Sequence, residues 1–210
     1  MKNLFSIEGK TALVTGGSRG IGEMIAAGFL ANGAKVYISS RKAETCDATA
    51  KRLQEEYGGE CISLPADLSN LEGIESLVGQ LSDTSLDILV NNAGASWGEP
   101  IDEYSEKGWD KVMDTNVKGV FFLTQKLLPL LRSSGTAEDP SRVINIGSID
   151  GIKTGLFDFL TVTTGSSKIV NSPLGISQLF GALTALIIFL YPSIIGVAVY
   201  RDYKSEMHTI

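Results

Sequence analysis

The sequence predicts an α/β fold, a doubly wound parallel sheet, over residues 1–168 of a 210-residue chain. Two observations predict the fold: short apolar runs rich in β-branched residues alternate with segments whose apolar residues recur at helical spacing. A third observation limits it to that part of the chain. Residues 1–168 hold 16 of the 18 Lys and Arg and 22 of the 24 Asp and Glu, whereas residues 169–200 hold none. We therefore expect a folded domain over 1–168 and a separate apolar tail over 169–210.

The elements follow in order along the first domain. Five runs have the composition of strands buried on both faces of a parallel sheet. They are TALVT (11–15), KVYIS (35–39), CISLP (61–65), LDILV (86–90) and RVINI (142–146). The segments between them predict helices whose apolar stripes comprise Ile21, Ile25 and Phe29; Cys46, Ala50, Leu53 and Tyr57; Leu71, Ile74, Leu77, Val78 and Leu81; and Val112, Val120, Leu123, Leu127 and Leu130. Right-handed crossovers then place helices on both faces of the sheet.

Composition restricts the function. The net charge of −6 argues against nucleic acid as a partner, because phosphate backbones require a basic surface. Cys46 and Cys61 are the only cysteines, and the polar start MKNLFSIEGK does not resemble a secretion signal. We therefore expect a cytoplasmic domain without disulfides. We expect no metal, because the single histidine, His208, lies near the end of the chain.

A glycine-rich segment, TGGSRGIG (15–22), connects the first predicted strand to the first predicted helix. Gly16, Gly20 and Gly22 can adopt backbone angles closed to other residues and have no Cβ to repel a ligand. The helix that begins here directs its free N–H groups and the positive end of its dipole toward the turn. This arrangement predicts a binding site for the pyrophosphate of a dinucleotide.

The spacing T-G-x-x-x-G-x-G, together with NNAG at 91–94, resembles the short-chain dehydrogenase/reductase family. Three further segments fit the family in order: ADLS with Asp67, DTNVKG with Asn116, and NIGSIDG with Ser148. The resemblance covers roughly residues 5–153 and implies a Rossmann-type fold that is incomplete at its C-terminal end. It implies an oxidoreductase acting on a small-molecule carbonyl or secondary alcohol. A weaker likeness is to members that act on 3-oxoacyl thioesters.

The resemblance also implies site residues. Those expected to be catalytic are Ser148, Asn116 and Lys168. Those expected to bind the cofactor, including two arginines argued from charge, are Gly16, Ser18, Arg19, Gly20, Ile21, Gly22, Arg41, Asp67, Leu68, Asn91, Ala93 and Gly94.

The charge near the second strand indicates which dinucleotide binds. An NAD site usually has a carboxylate there for the ribose 2′-hydroxyl. This chain has no acid from Lys35 to Ala43 and instead has Arg41, with Arg19 in the glycine turn. Because a planar guanidinium binds phosphate through two hydrogen bonds, we expect NADP rather than NAD.

The family's catalytic tyrosine has no clear counterpart. TTGSSK resembles the family's Tyr-x-x-Ser-Lys segment, with Lys168 in the lysine place and Thr164 in the tyrosine place. A threonine hydroxyl has a much higher pKa than a phenol and a shorter reach, and loss of a general acid costs about 10²–10⁴-fold in rate. Two functions therefore stay open: an active reductase, or a dinucleotide-binding or regulatory protein that has lost its chemistry.

The apolar run LFGALTALIIFLYPSIIGVAV (179–199) is a candidate membrane anchor, since a helix of this length spans about 30 Å. Tyr200 and Lys204, which follow it, match Tyr-x-x-x-Lys in spacing, but their distance from Ser148 argues against catalysis. Two alternatives are a pair of buried strands and the altered end of a longer reductase. The sequence leaves the oligomeric state open.

Overall fold

A computed structural model describes residues 6–81 and 85–147 of the chain. In the described part, five strands alternate with helices. They are, in order, β1 (Thr11–Thr15), α1 (Gly20–Ala31), β2 (Lys35–Ser39), α2 (Ala43–Tyr57), β3 (Cys61–Ser63), α3 (Leu71–Gln80), β4 (Ile88–Asn91), a 3₁₀ turn (Ile101–Glu103), α4 (Glu106–Met113), a π-helical turn (Asp114–Lys118), α5 (Gly119–Ser134) and β5 (Arg142–Asn145). All five predicted strands are confirmed, with ends that differ by up to two residues. The predicted burial on both faces is wrong for β5, the edge strand of the described sheet, because Arg142, Val143 and Ile144 are exposed.

The strands form one parallel sheet in the order β3-β2-β1-β4-β5. The chain moves outward from β1 to β2 and β3, then returns to the other side of β1 for β4 and β5. This reversal is the switch point beside which doubly wound sheets bind ligands. Thr15 pairs with Ser39 and Asn91 with Asn145, so the strands end together at what we call the carboxyl edge.

Helices cover both faces of the sheet, as predicted. On one face, Val14, Val36 and Ile38 pack with Leu30 of α1 and Leu53 of α2. On the other face, the cluster comprises Leu13, Leu89, Leu77, Leu123 and Leu127 among others. Successive residues of β1 alternate between the two clusters because strand side chains point to opposite faces.

The predicted apolar stripe of α1 is wrong at Ile21, which is 57% exposed. The buried residues of α1 are Gly22, Ala26 and Leu30, one position further along. The helix begins so close to the glycine turn that only a residue without a side chain fits at the first contact. Tyr57 and Leu71, at the ends of their helices, are also exposed, each to 42%.

A polar cluster ties the strands together at the opposite, amino edge of the sheet. Lys10 Nζ lies 3.0 Å from Asp87 Oδ1 and 2.7 Å from Asp139 Oδ2. The other oxygen of Asp87 accepts a 2.8 Å hydrogen bond from the Thr11 amide. Hydrogen bonds first from Asp139 and then from Asp87 raise the pKa of Lys10. This amino-edge cluster of Lys10, Asp87 and Asp139 joins β1, β4 and the connection that precedes β5.

The sheet and its helices belong to a compact unit that ends at Ile146. The predicted domain boundary at 168/169 and the candidate anchor 179–199 lie outside the described residues. In residues 6–81 and 85–147, no helix is long and apolar enough to cross a membrane. In the same ranges, no group of three or more His, Cys, Asp or Glu is placed to hold a metal ion.

Candidate cofactor site

The glycine turn lies at the carboxyl edge between β1 and α1. Gly16 and Gly20 have φ of 65° and 58°, in the left-handed region that favours glycine. A Cβ on Gly22 would lie 2.3 Å from the carbonyl oxygen of Gly16, so a side chain would force the turn apart. The Gly17 amide donates to Ser39 O at 3.1 Å, which joins the turn to the end of β2.

The NNAG segment is joined to the glycine turn by two residues, Thr15 and Asn92, that were not among the predicted site residues. The Thr15 hydroxyl accepts hydrogen bonds from the amides of Asn92 (2.9 Å) and Ala93 (3.0 Å) and donates to Val90 O. Asn92 Nδ2 donates to Thr15 O at 2.9 Å and lies 3.4 Å from Gly16 O. A polar residue ending the buried strand β1 was the signal that could have identified Thr15.

Two helices begin beside this turn without a side-chain cap. Arg19 is the N-cap residue of α1, Lys42 is the N-cap residue of α2, and neither side chain caps its helix. In contrast, Asn70 and Ser105 cap α3 and α4 by accepting hydrogen bonds from amides in the first turn. The amides at the start of α1 and α2 are thus not occupied by a capping side chain.

The connection after β2 carries the predicted positive charge. Arg41 and Lys42 are exposed, as is Arg19 in the glycine turn. The two arginines were predicted from the sequence, whereas Lys42 was not. No carboxylate lies between Lys35 and Ala43, so this end of β2 has the charge that a 2′-phosphate requires and lacks the acid typical of NAD sites.

Asp67 and Leu68 follow β3 on the far side of that connection. The Ala66 amide donates to Ser40 O at 3.1 Å, which keeps the chain beside β2 up to Asp67. Asp67 Oδ1 accepts hydrogen bonds from the amide and the hydroxyl of Ser69, at 3.1 and 2.8 Å. Leu68 is buried in the core. Asp67 thus stands at the carboxyl edge, and its contact with the cofactor stays a prediction.

Asn116 lies in the π-helical turn between α4 and α5. Its Nδ2 donates to Ala95 O and its Oδ1 accepts from the Ala95 amide, both at 2.8 Å. The side chain thereby holds the backbone directly after Gly94. π-Helical turns are frequent at functional sites. This geometry gives Asn116 a positioning contact, and its catalytic role stays a prediction.

Asn91, another predicted cofactor residue, has a buried side chain that bonds to two neighbouring elements. Its Nδ2 donates to Asn145 Oδ1 at 2.8 Å and to Thr124 Oγ1 at 3.1 Å. The amide therefore links β4 to β5 and α5 inside the protein. Ala93 is half-buried and Gly94 exposed at the edge. Ser148 and Lys168, the other two predicted catalytic residues, lie outside the described residues.

The segment after Gly94 is fixed by an aromatic contact. Trp97 lies against Gly108 of α4 so closely that a Cβ on Gly108 would be 2.3 Å from Trp97 Cδ1. Lys111 Nζ lies 4.6 Å from the ring centroid of Trp97, a distance at which a cation is attracted to the ring. Glu99 Oε2 accepts a 2.7 Å hydrogen bond from the Ser105 amide, and this bond lowers the pKa of Glu99.

Comparison with known proteins identifies relatives of this arrangement. A family model described as short chain dehydrogenase matches residues 10–160. The chain is 55% identical over 154 residues to a rhamnolipids biosynthesis 3-oxoacyl-[acyl-carrier-protein] reductase of Pseudomonas aeruginosa, covering 72% of this chain and 59% of the relative. It is 33% identical over 172 residues to a gluconate 5-dehydrogenase of Gluconobacter oxydans, covering 79% and 64%.

Solved structures with the same fold contain the cofactor. The RhlG/NADP active-site complex of Pseudomonas aeruginosa matches with a TM-score of 0.66 and 53% identity, over 74% of this chain and 59% of that one. L-sorbose reductase of Gluconobacter frateurii, complexed with NADPH and L-sorbose, matches with a TM-score of 0.73 and 26% identity, over 94% and 67%. The chain thus spans about three fifths to two thirds of these relatives.

Proposed function

Because the chain belongs to the short-chain dehydrogenase family, we propose that it is an NADP-dependent oxidoreductase acting on a small-molecule carbonyl or secondary alcohol. One observation carries the proposal. Two helices begin side by side at the carboxyl edge on positively charged residues, Arg19 and Lys42, with no side chain capping either helix.

Electrostatics explain why this arrangement suits a phosphorylated cofactor. A cation at the start of a helix faces the positive end of the dipole and costs about 0.3–1 kcal/mol. A bound phosphate reverses the sign, since it attracts both the cation and the helix amides. The pyrophosphate would bind at the amides of Gly20, Ile21 and Gly22. The 2′-phosphate would bind Arg19 and Arg41. The prediction of NADP agrees with three of the structural neighbours, which are complexes with NADP or NADPH.

The adenine end would lie beside Asp67 and the nicotinamide end beside the NNAG segment. The bound cofactor supplies or accepts the hydride. The protein's own contribution would be orientation: Thr15 and Asn92 hold the NNAG segment against the glycine turn, and Asn116 holds Ala95. We assign to Ser148 the stabilisation of the carbonyl oxygen and to Lys168 a contact with the cofactor ribose, as the family resemblance implies.

The name of one relative supports a finer proposal for the substrate. That relative is a 3-oxoacyl-[acyl-carrier-protein] reductase, and it shares 55% identity with this chain over the matched residues. We propose a 3-oxoacyl carbonyl as the substrate class. Trp97, fixed between Gly108 and Lys111, would form part of the wall beside the carbonyl.

A second function is favoured by Thr164, which stands in the sequence where the family has its catalytic tyrosine. In this case the chain binds NADP without turnover and acts through the bound state. Only a recovered general acid would then restore activity, so Thr164→Tyr is the informative variant.

One experiment tests both functions. The full chain is titrated with NADPH and NADH by nicotinamide fluorescence, and then assayed with NADPH and ketones that include a 3-oxoacyl thioester by absorbance at the nicotinamide band. Tighter binding of NADPH with turnover supports the reductase. Tighter binding without turnover, but with turnover in Thr164→Tyr, supports the binding protein. Equal affinity for the two cofactors contradicts the NADP site itself.

The membrane anchor is a separate proposal, supported by the absence of charge over residues 169–200. The anchor would be residues 179–199, with the cofactor-binding domain in the cytoplasm. Extraction of membranes with alkaline carbonate tests it. Release of the full chain into the supernatant would contradict an anchor.

A further inference from the structure

Helix α2 contacts the glycine turn and its surroundings along one face. Cys46 Sγ lies 3.5 Å from Ile38 O, the Thr49 hydroxyl donates to Ser18 O at 3.0 Å, and Arg52 pairs with Glu23 of α1. The three residues are spaced three apart, which places them on the same side of a helix. Of the three contacts, only that of Thr49 reaches the turn itself.

The contact between Thr49 and Ser18 is buried. Thr49 is 7% exposed and Ser18 is 9% exposed. A buried carbonyl that loses its partner costs about 1–3 kcal/mol, so this hydroxyl fixes where the carbonyl of Ser18 points. A valine would fill nearly the same volume but could not donate the hydrogen bond.

The peptide bond held in this way is the one that precedes Arg19. Arg19 is extended, with φ −167° and ψ 161°, and Gly20 follows with φ 58°. A Cβ on Gly20 would meet no atom within 4 Å, so packing does not support the turn at that point. The hydrogen bond from Thr49 supplies a restraint that the glycine does not.

The same helix follows directly on Arg41. Arg41 stands two residues after the end of β2, and Ser39, the last residue of β2, pairs with Thr15 at the end of β1. Thr49 therefore links the backbone that carries Arg19 to the helix that follows Arg41. We propose that Thr49 is a positioning residue that sets the preference for NADP over NAD by holding these two arginines at a fixed separation. The proposal rests on the proposed NADP site.

The test measures the affinities of the full chain for NADPH and NADH by fluorescence titration. Thr49→Val should weaken NADPH binding about fivefold, equivalent to about 1 kcal/mol. The affinity for NADH, which has no 2′-phosphate, should change by less than about twofold. Thr49→Ser keeps the hydroxyl and should keep the wild-type ratio of NADPH affinity to NADH affinity. Thr45→Val is the matched control, since Thr45 is exposed on the same helix, and it should also leave the ratio unchanged.

A purely structural role gives a different result. If Thr49→Val weakens both cofactors equally, or lowers only the urea midpoint of unfolding, Thr49 does not set the preference. Thr49→Ala provides a second variant if the valine does not fold, because alanine favours the helix. Thr49→Ala should also lower the ratio of NADPH affinity to NADH affinity. A wild-type chain without preference for NADPH would overturn both the proposed function and this inference, whereas a preference that survives in Thr49→Val and Thr49→Ala would overturn this inference alone.

Discussion

Replacing Gly22 with alanine should destabilise the protein and weaken cofactor binding. The new Cβ would lie 2.3 Å from Gly16 O and 2.5 Å from Asn92 Nδ2. The first contact is with backbone, which cannot rotate away, and the second is with the side chain that joins the glycine turn to the NNAG segment. Relief of the overlap must therefore move α1 away from the turn or break the hydrogen bonds of Asn92.

The steric cost of the Gly22→Ala substitution can be measured separately from the intrinsic effect of alanine in a helix. Gly28 lies in the same helix, is exposed, and a Cβ there would meet no atom within 4 Å. Gly28→Ala should therefore raise the free energy of unfolding by about 0.4–1 kcal/mol. Gly22→Ala gains the same backbone term but pays a steric cost of about 1–3 kcal/mol. The difference between the two variants thus isolates the overlap.

Urea unfolding of the wild type and both variants measures this difference, and NADPH titration measures its effect on the site. Gly28→Ala should bind NADPH as the wild type does, whereas Gly22→Ala should bind it more weakly. An unfolding midpoint for Gly22→Ala equal to that of Gly28→Ala would show that the turn absorbs the methyl group. The close contact between Gly22 of α1 and the glycine turn would then have no effect on the free energy of unfolding.

Four further predictions address single contacts. Arg41→Ala should weaken NADPH binding at least about tenfold and leave NADH binding unchanged in fluorescence titrations, because a charged hydrogen bond contributes about 1.5–3 kcal/mol. Asn116→Ala should lower the free energy of unfolding in urea by about 1–3 kcal/mol, since Ala95 loses partners for both its N–H and its C=O; Asn116→Asp, which can only accept, should fall between. Hydrogen bonding to Lys10 lowers the pKa of Asp139. The ion pair therefore stabilises the fold above the ordinary carboxyl pKa near 4, and this contribution is lost as the pH falls below it. In Lys10→Met, the free energy of unfolding should fall less steeply with decreasing pH than in the wild type. Burial raises the pKa of Cys61 to about 11, so the wild type should lose stability from about pH 9 to pH 11 more steeply than Cys61→Ala, as followed by circular dichroism.

Much of the fold could be predicted from the sequence, because the inner strands of a parallel sheet are buried on both faces and appear in the sequence as short, mostly apolar runs. TALVT, KVYIS and the other apolar runs hold only one or two polar residues each, and each became a strand. The helix surfaces were less predictable. Ile21 fits an apolar stripe in the sequence, yet the buried residue is Gly22, because contact with the glycine turn excludes any side chain at that position. The periodicity of apolar residues predicts which side chains are buried, so it cannot predict that a glycine, which has no side chain, occupies the buried position.

Part of the site could also be predicted, since glycines and charges leave local signals. The glycine turn, Arg41 and Asp67 all lie at the carboxyl edge, as expected. Asn92 and Thr49 could not be found in this way, because their side chains bond to backbone atoms on other elements, 77 and 31 residues away. The buried side chain of Asn91 was missed for the same reason: its partners Thr124 and Asn145 come from α5 and β5.

The amino-edge cluster of Lys10, Asp87 and Asp139 has a consequence for libraries of variants. The cluster ties strands at the end of the sheet opposite the glycine turn, so the residues that hold strands together there are not those that contact a ligand. Loops at the carboxyl edge can therefore be diversified while the strand starts keep their ion pairs. A variant that loses binding but keeps the acid unfolding profile of the wild type is altered in its binding site, and one that loses both has lost its scaffold.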